Sequence, residues 1–472
     1  MGYNKVTPEI LNKLKEIAPG RVFFGEDIND DYCHDEMPAY GKKFPEAVVE
    51  AVSADEISKV LKLCNDNLIP LTARGAGTGL AGGAVPIFGG IVLSIKRMNK
   101  ILEYDLENFT VRVEPGVLLN DLSEDSAKYG LFYPPDPGEK LATLGGNVST
   151  NAGGMRAVKY GVTRDYVKSA KVVLPTGEIL NFGRNVAKSS SGYSLLSLII
   201  GSEGTLGVIA ELTLKLIPMP KETVSLIVPF EDLYTGIKTV PKLLMSGLNP
   251  QALEFMGRDI VEATEAYLEK TVFPKVINGV SAKAYLLITF DGNSEDILND
   301  TMERASEIML DEGAIDVLVA DTPELKRNAW TARSSFFKAI LAITPEIEEC
   351  DVVVPINKIA EYFSYLKELS EKHNVRIMGF GHAGDGNLHI YPFKDELSDE
   401  EWTLKSKNVM DNLYEKAKEM GGLVSGEHGI GRVKMEYLEE TVGKASMDLM
   451  FGIKKVFDPN LILNPGKVCH KL

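Results

Sequence analysis

The chain has 472 residues, enough for about three domains of ordinary size and for a substantial core. Hydrophobic residues make up 44% of the sequence and charged residues 25%, proportions typical of globular proteins and unlike those of collagen, low-complexity or membrane-embedded chains. The net charge of −16 comes from 51 Lys and Arg against 67 Asp and Glu. It argues against nucleic acid as a partner, because phosphate contacts need clustered cations.

Targeting and cysteine patterns are also informative. The N-terminal residues contain no uninterrupted apolar segment of the secretory type, and the longest apolar stretch, around Leu195 to Ile200, is too short to span a bilayer. The 4 cysteines are scattered and form no C-x-x-C pair, which disfavours a disulfide scaffold and an iron–sulfur cluster. We therefore predict a cytoplasmic protein with reduced thiols and no membrane anchor.

The first half of the chain divides into two regions. Residues 1–41 are expected to form an N-terminal helical segment with Thr7 as the N-cap, followed by an irregular stretch. Residues 42–220 carry short β-rich runs separated by many glycines, and one helix over 53–67 that begins at a capping box opened by Ser53. This pattern predicts an α+β domain rather than a regular β-α-β alternation.

The second half has a different texture. In residues 221–425 amphipathic helices, predicted over 259–270, 296–311 and 358–373, alternate with β-rich runs such as AYLLITF, CDVVVPI and VRIMGF. This order favours a second domain in which helices cover one face of an antiparallel sheet. Residues 426–472 are predicted to form a separate C-terminal segment that ends in LILNPGKVCHKL.

A glycine-rich segment from Pro70 to Pro86 follows an apolar strand; its glycines include Gly75, Gly77, Gly79, Gly82 and Gly83. Glycine lets successive backbone N–H groups point into one concavity, which suits a diphosphate. Arg74 and Thr78 offer a cation and a hydroxyl. The loop also contains G-x-G-x-x-G, but a strand rather than a helix is predicted after it, so a Rossmann dinucleotide site is not expected. Taken alone, the segment is also compatible with a tight loop that binds nothing.

Two further segments repeat this chemistry. The segment from Pro134 to Gly161 interleaves glycines with small hydroxyl and amide side chains, which suit an extended polar ligand that carries phosphate. A third segment, IIGSEGTLGVIAELTLKLIP, places Glu203 at the start of a strand. Three such segments in one domain favour a ligand over a set of unrelated turns.

Histidines and an acidic residue lie in two glycine-framed motifs near the C-terminus, GFGHAGDGNLHIYPF and VSGEHGIGR. The first motif is predicted to be a hairpin, so that His382 and His389 can face each other and Asn387 shares the face of His389. Two imidazoles and the carboxylate of Glu427 would suit Zn²⁺, Fe²⁺ or Mn²⁺ with positions left for substrate. His428 fits a general base, because its ordinary pKa lies near working pH. Packed structural histidines are the alternative.

Together these motifs resemble the flavoproteins with a vanillyl-alcohol-oxidase-type FAD domain, and among them the catalytic subunits of D-lactate dehydrogenases and glycolate oxidases. The resemblance extends from about Phe44 to Lys467. It implies an α+β fold with an FAD-binding domain, a substrate or cap domain, and a C-terminal segment that returns to the flavin. The FAD contacts that it implies are Arg74, Gly75, Ala76, Gly77, Thr78, Gly79, Pro135, Asp136, Thr143, Gly146, Asn147, Ser149, Asn151, Gly153, Gly154, Tyr160, Glu203, Gly204, Ile209 and Asn464. Because no histidine lies between His34 and His373, non-covalent FAD is expected.

The resemblance also implies the chemistry. The metal ligands would be His382, His389 and Glu427. Arg333, in NAWTARSSFFKAI, would bind the substrate carboxylate; Asn387 is also expected at the substrate; and His428 would remove the hydroxyl proton while a hydride passes to flavin N5. Relatives that use dicarboxylates have a hydroxyl and a lysine where this sequence has Phe337 and Glu349. That difference favours a small monocarboxylic substrate, D-lactate above all.

The route by which electrons leave the flavin is expected to be a partner protein, because the sequence shows no second redox-cofactor motif. Relatives use quinones, iron–sulfur subunits or electron-transferring flavoproteins, and the last, linked to NAD and ferredoxin, is our preferred acceptor. Alternatives are a glycolate oxidase catalytic subunit, an oxidase that reduces oxygen directly, a flavin-binding protein without turnover, and a zinc hydrolase without flavin.

Overall fold

The computed structural model describes residues 2–344 and 346–470. The chain forms two compact units, which are described separately below. The first comprises Met1–Gly153, Val162–Met219 and Glu427–Leu472, and the second Gly154–Gly161 and Pro220–Gly426. Among the helices of the described ranges, none is both long enough and apolar enough to cross a bilayer.

A small sheet in the first unit leads into the first glycine-rich loop. Its four strands lie in the order Val22–Phe24, Ala47–Glu50, Ile91–Ser94 and Leu71–Arg74. The last three run parallel, which the sequence did not predict. Helix Ala54–Asn67 connects two of them, and Ser53 Oγ accepts the N–H of Glu56 as predicted. The Glu56 carboxylate accepts from Arg21 and from the N–H of Val52, so only half of the capping box forms.

The N-terminal segment packs on this sheet. Helix Pro8–Ile17 has Thr7 as its N-cap, as predicted, and its buried residues Ile10 and Leu14 join the core beneath the sheet. The following stretch was predicted to be irregular, yet Val22–Phe24 pairs there antiparallel with Ala47–Glu50. A strand of three residues is too short to show a period of two in the sequence.

A second sheet in the first unit is antiparallel throughout, in the order Ile101–Asp105, Thr110–Val113, Val208–Lys215, Val167–Val173 and Ile179–Gly183. A short pair joins Leu131–Phe132 to Ile217–Pro218. The remaining α-helices described for this unit are Leu119–Ala127, Leu144–Thr150, Leu195–Ile199, Met435–Val442 and Lys444–Phe457. No helix follows the first glycine-rich loop within residues 75–90, which agrees with the rejection of a Rossmann site.

The second unit is built on seven antiparallel strands in the order Leu318–Ala320, Glu222–Phe230, Ala284–Gly292, Ala252–Gly257, Ile377–His382, Asn387–Pro392 and Cys350–Val353. A short hairpin pairs Val276–Ile277 with Val280–Ser281. The α-helices are Ala157–Tyr160, Leu233–Met245, Arg258–Tyr267, Glu295–Asp311, Pro323–Ser334, Phe336–Ile343, Ile359–His373 and Asp399–Glu419. The antiparallel sheet and the three helices expected from the sequence are confirmed.

The expectation that helices cover only one face of this sheet was wrong. Met256 pairs with Phe380, so the neighbouring Phe255 points to the opposite face from Phe380. Phe255 packs against Phe363 of one helix, with ring centroids 4.8 Å apart, whereas Phe380 packs against Phe336 of another at 5.1 Å. Helices therefore cover both faces, and the polar residues described below lie on the face of Phe380.

Candidate active site

The three glycine-rich segments line one pocket of the first unit. The predicted FAD contacts that line it are Arg74, Gly75, Ala76, Gly77, Thr78, Gly79, Thr143, Gly146, Asn147, Ser149, Glu203, Gly204 and Ile209. Apolar residues such as Ile95, Pro115 and Val208 line it too. They were not predicted, because apolar residues in a sequence are equally typical of a core. Segments separated by more than a hundred residues thus contribute backbone and small side chains to one concave wall.

Glycine is required where two of these segments approach each other. A Cβ added to Gly75 would lie 2.2 Å from Thr143 Oγ1, and one added to Gly77 would overlap the Arg74 guanidinium. Thr143 caps helix Leu144–Thr150 through the N–H of Gly146. The close contact brings the first loop against the start of that helix, which leaves a backbone-lined cradle suited to a phosphate-bearing ligand.

Other predicted FAD contacts lie away from the lining of the described pocket: Pro135, Asp136, Asn151, Gly153, Gly154, Tyr160 and Asn464. The Asn151 side chain accepts the N–H of Arg164. Gly154 and Tyr160 belong to the second unit, where the Tyr160 hydroxyl donates to Asp291 at 2.6 Å. Asn464 stabilises two residues that line the pocket, because its Nδ2 donates at 2.9 Å to the carbonyl oxygens of both Gly83 and Glu203.

Two predicted residues from the C-terminal motif, Glu427 and His428, also line the pocket of the first unit. Glu427 packs tightly on Gly153, where a Cβ would lie 2.9 Å from Glu427 Oε1. Glycine at position 153 therefore leaves room for the Glu427 side chain. The contact of Gly153 with FAD stays a prediction.

The second unit brings the other two histidines together. The predicted hairpin is confirmed: strands Ile377–His382 and Asn387–Pro392 pair so that His382 lies opposite Asn387, and His389 opposite Phe380. The imidazoles are diagonal neighbours on one face, with Nε2 atoms 3.3 Å apart and ring planes at 89°. Both are buried, at 4% and 5% exposure.

Each of these imidazoles has a buried carboxylate behind it. Glu254 Oε1 lies 2.7 Å from His382 Nδ1, and Asp351 Oδ1 lies 3.9 Å from His389 Nδ1. If Nδ1 of His382 carries the proton, its hydrogen bond to Glu254 leaves the Nε2 lone pair available to a metal. The 3.9 Å between Asp351 Oδ1 and His389 Nδ1 is an ion-pair distance, too long for a hydrogen bond. Two nitrogens bound to one tetrahedral cation at about 2.0–2.1 Å stand about 3.4 Å apart. The observed separation therefore fits a pair of ligands to one cation.

Asn387 lies beside this pair, as predicted. Its Nδ2 donates to Asp351 Oδ1 at 2.6 Å and to the Val352 carbonyl at 3.0 Å. Its Oδ1 is buried and accepts no hydrogen bond from the described residues. A buried acceptor without a donor is costly, which favours a ligand hydroxyl at this position.

Arg333 is oriented by the same Glu254. It lies near the end of helix Pro323–Ser334, and its Nε and Nη2 contact Glu254 Oε2 at 2.7 and 2.5 Å. Burial alone would raise the pKa of Glu254, but Arg333 and His382 outweigh burial and hold that pKa below its ordinary value. Among the described residues, Nη1 of Arg333 has no hydrogen-bond partner, so this nitrogen remains for a ligand.

Comparison with known proteins identifies the family. The FAD binding domain family matches residues 45–183, and the C-terminal domain of FAD linked oxidases matches residues 219–468. The D-lactate dehydrogenase of Anaerostipes hadrus is 59% identical over 470 residues, which cover 100% of this chain and 99% of that protein. The glycolate oxidase subunit of Bacillus subtilis is 40% identical over 470 residues, with 99% and 98% covered.

Solved structures agree on the fold. Substrate-bound p-cresol methylhydroxylase superposes with a TM-score of 0.78 over 98% of this chain and 96% of that chain, at 19% identity. A 4-ethylphenol oxidase from Gulosibacter chungangensis gives 0.76 at 19% identity over 99% and 98% of the two chains. The vanillyl-alcohol-oxidase-type α+β fold and FAD as the cofactor are confirmed. The chain belongs to the FAD-linked oxidase family and is an FAD-dependent oxidoreductase.

Proposed function

We propose that the protein oxidises a small D-2-hydroxy acid, D-lactate, to pyruvate. The observation that carries the proposal is the buried array of Arg333, Glu254, His382 and His389 on one face of the second unit's sheet. It combines a cation for a carboxylate with a pair of imidazoles suited to a metal. Relatives at 59% and 40% identity named D-lactate dehydrogenase and glycolate oxidase subunit support the substrate class.

Arg333 holds the substrate carboxylate through its unused Nη1. The guanidinium is flanked by aromatic rings, with its central carbon 5.3 Å from the Phe336 centroid and 4.7 Å from that of Phe380. Such walls suit a small substrate. Glu349, which is 1% exposed, would repel a second carboxylate, and this favours a monocarboxylic acid.

His382, His389 and Glu427 are proposed to hold a divalent cation, Zn²⁺, Fe²⁺ or Mn²⁺. The 3.3 Å separation of the two Nε2 atoms supports a shared ion. When bound, the cation supplies a Lewis acid that lowers the pKa of the substrate hydroxyl.

His428 is the proposed general base and takes the proton of that hydroxyl. The FAD supplies the acceptor for the hydride of the substrate Cα–H bond, so that lactate leaves as pyruvate. Asn387 Oδ1 offers an acceptor that helps to orient the substrate. Arg333 keeps the carboxylate in place, and its own position is fixed by Glu254.

An electron-transferring flavoprotein linked to NAD and ferredoxin is proposed as the partner that would accept the electrons from the protein. Non-covalent attachment of FAD and a cytoplasmic location stay predictions. Glycolate is the second candidate substrate, with a quinone or an iron–sulfur protein as the electron acceptor. The similarity to a glycolate oxidase subunit favours this alternative.

Anaerobic titration of the yellow protein with D-lactate, L-lactate and glycolate tests this proposal through the absorbance of oxidised flavin. We expect D-lactate to bleach the wild type, and His428→Ala and Arg333→Ala to slow bleaching by about 100-fold or more. Arg304→Ala, an exposed ion-pair residue on a helix of the second unit, is the matched control and should behave as wild type.

Treatment with a chelator before the titration tests the metal, and re-addition of Zn²⁺ or Mn²⁺ should restore bleaching. Wild-type rates in both active-site variants would rule out the proposed roles. Bleaching that resists metal removal would rule out the cation. Fast reoxidation of the flavin by air would remove the need for a partner protein.

A further inference from the structure

We propose that Glu203 is a positioning residue for His428: its carboxylate fixes the loop that carries the proposed base. The resemblance to FAD-linked enzymes implies a different role for Glu203, a contact with the adenine and ribose end of FAD. The inference rests on the proposed function of His428, and it assigns to Glu203 a part in the reaction rather than in cofactor affinity.

The geometry of the carboxylate supports this role. Glu203 Oε1 accepts the N–H of Ile430 at 2.8 Å, and Oε2 accepts the N–H of Gly431 at 2.8 Å. These two donors follow His428 by two and three residues. A carboxylate that engages two consecutive N–H groups fixes both the position and the direction of the backbone.

The loop is also confined from its other sides. A Cβ on Gly429 would lie 2.9 Å from Glu203 Cδ, and one on Gly431 would lie 1.9 Å from the Ala81 carbonyl oxygen. The Arg432 N–H donates to that same oxygen at 3.0 Å, and the Val468 N–H donates to the Gly431 oxygen at 2.8 Å. The backbone after His428 therefore has one well-defined path, and Glu203 accepts two of the hydrogen bonds that define it.

Glu203 is itself held firmly. Its backbone has a left-handed φ of 51°, unusual for a residue with a side chain. Its N–H donates to the Ser149 carbonyl at 2.7 Å, and its own carbonyl accepts from Asn464 Nδ2 at 2.9 Å. Because both backbone groups of Glu203 are hydrogen-bonded, its carboxylate has a defined position and can hold the loop after His428 in place.

Glu203→Gln separates the two roles, because an amide offers one acceptor oxygen and places an NH₂ group against the second N–H. If Glu203 acts only as an anchor for the loop, the Kd of Glu203→Gln for FAD should lie within about threefold of the wild-type Kd. The variant should reduce its flavin at saturating D-lactate at least tenfold more slowly, with the Kd for lactate unchanged. Glu211→Gln, an ion-pair residue on a strand of the same unit, is the control.

Hydrogen exchange read by mass spectrometry supplies a readout independent of turnover. In the wild-type holoenzyme the amides of Ile430 and Gly431 should exchange slowly, and Glu203→Gln should accelerate them selectively. If that variant does not fold, the test uses Glu203→Asp instead, together with the exchange rates of these two amides in the wild type. Weakened FAD binding with an unchanged reduction rate, or unprotected amides in the wild type, would overturn the proposal. His428→Ala in parallel shows separately whether His428 is the base.

Discussion

Glu254 contacts two side chains of the second unit for which we propose functional roles, His382 and Arg333. It is fully buried, and its two oxygens divide between His382 and Arg333. Glu254→Gln leaves Arg333 buried without a counter-charge, so we expect the free energy of unfolding to fall by about 3 kcal/mol. We also expect retention of the proposed metal, measured by elemental analysis, to fall about 10-fold or more, because Nδ1 of His382 loses its carboxylate.

The matched control is Glu262→Gln, which also removes a carboxylate that pairs with an arginine in this unit. Glu262 is 51% exposed and contacts Arg258 at 3.2 Å, so its loss should cost less than about 1 kcal/mol. Urea denaturation followed by circular dichroism measures both variants. Equal losses for the two substitutions would show that Glu254 does not hold a buried charge pair.

Polar residues in the glycine-rich motifs could be predicted from the sequence as site residues. The acidic residue Glu254, which lies inside an apolar strand, could not. His382 and His389 were predicted to face each other because the spacing of AGDG with its flanking runs indicates a hairpin. Glu254 stands alone in the apolar run ALEFMG, 79 residues from Arg333 and 128 from His382. No local pattern connects residues so far apart, and only the pairing of strands shows which carboxylate faces which imidazole.

The loop after His428 allows a prediction at the scale of an element. Gly431 and Gly443 both have left-handed φ angles, of 50° and 80°, so alanine at either position carries the same kind of backbone cost, roughly 1–2 kcal/mol. Only at Gly431 does a steric clash add to this cost, because a Cβ there would overlap the Ala81 carbonyl. A Cβ added to Gly443 would have no atom within 4 Å.

We therefore expect Gly431→Ala to lose about 1–3 kcal/mol more of the free energy of unfolding than Gly443→Ala. Gly431→Ala should also slow flavin reduction by D-lactate, since the displaced loop carries the proposed base. Denaturation curves and anaerobic stopped-flow traces of the two variants give both quantities. Indistinguishable stability would mean that the loop moves freely away from Ala81.

Helices were predicted more accurately than strands. The helix predicted over 358–373 is observed as Ile359–His373, because its amphipathic period is a local signal. Strand Val22–Phe24 and the parallel pairing of Ala47–Glu50 with Ile91–Ser94 were not predicted. Pairing is decided by partners distant in sequence, and consecutive apolar residues in a short strand do not reveal which faces are covered.

At the scale of the whole molecule, the first unit is discontinuous in sequence. The matched FAD binding domain covers residues 45–183, yet the pocket also uses Glu203 to Ile209 and the pair Glu427 and His428. The C-terminal residues reach the core of that unit: Leu463 forms a bridge with Leu71, at the start of the strand that leads into the first glycine-rich loop. The stability of the glycine-lined pocket, where we propose that FAD binds, therefore depends on residues after Leu461.

This dependence predicts the effect of a substitution at Leu463. Its side chain is fully buried in the core beneath the parallel strands, and the N–H of Asn464 donates to the Leu71 carbonyl at 2.6 Å. Leu463→Ala should cost roughly 2–5 kcal/mol of the free energy of unfolding, through lost burial and the cavity that remains. Because this core supports the strand before Arg74, thermal release of FAD, followed by flavin fluorescence, should move to lower temperature together with the loss of circular dichroism.

Val456→Ala, on the C-terminal helix, is the control, since Val456 is 79% exposed and its truncation should change the free energy of unfolding by less than about 0.5 kcal/mol. If Leu463→Ala lowered the unfolding temperature while FAD release stayed at the wild-type temperature, the C-terminal segment would be packing on the unit without supporting its pocket. A common shift of both transitions in Leu463→Ala, absent from Val456→Ala, requires instead that the last residues of the chain and the first glycine-rich loop unfold as one cooperative structure.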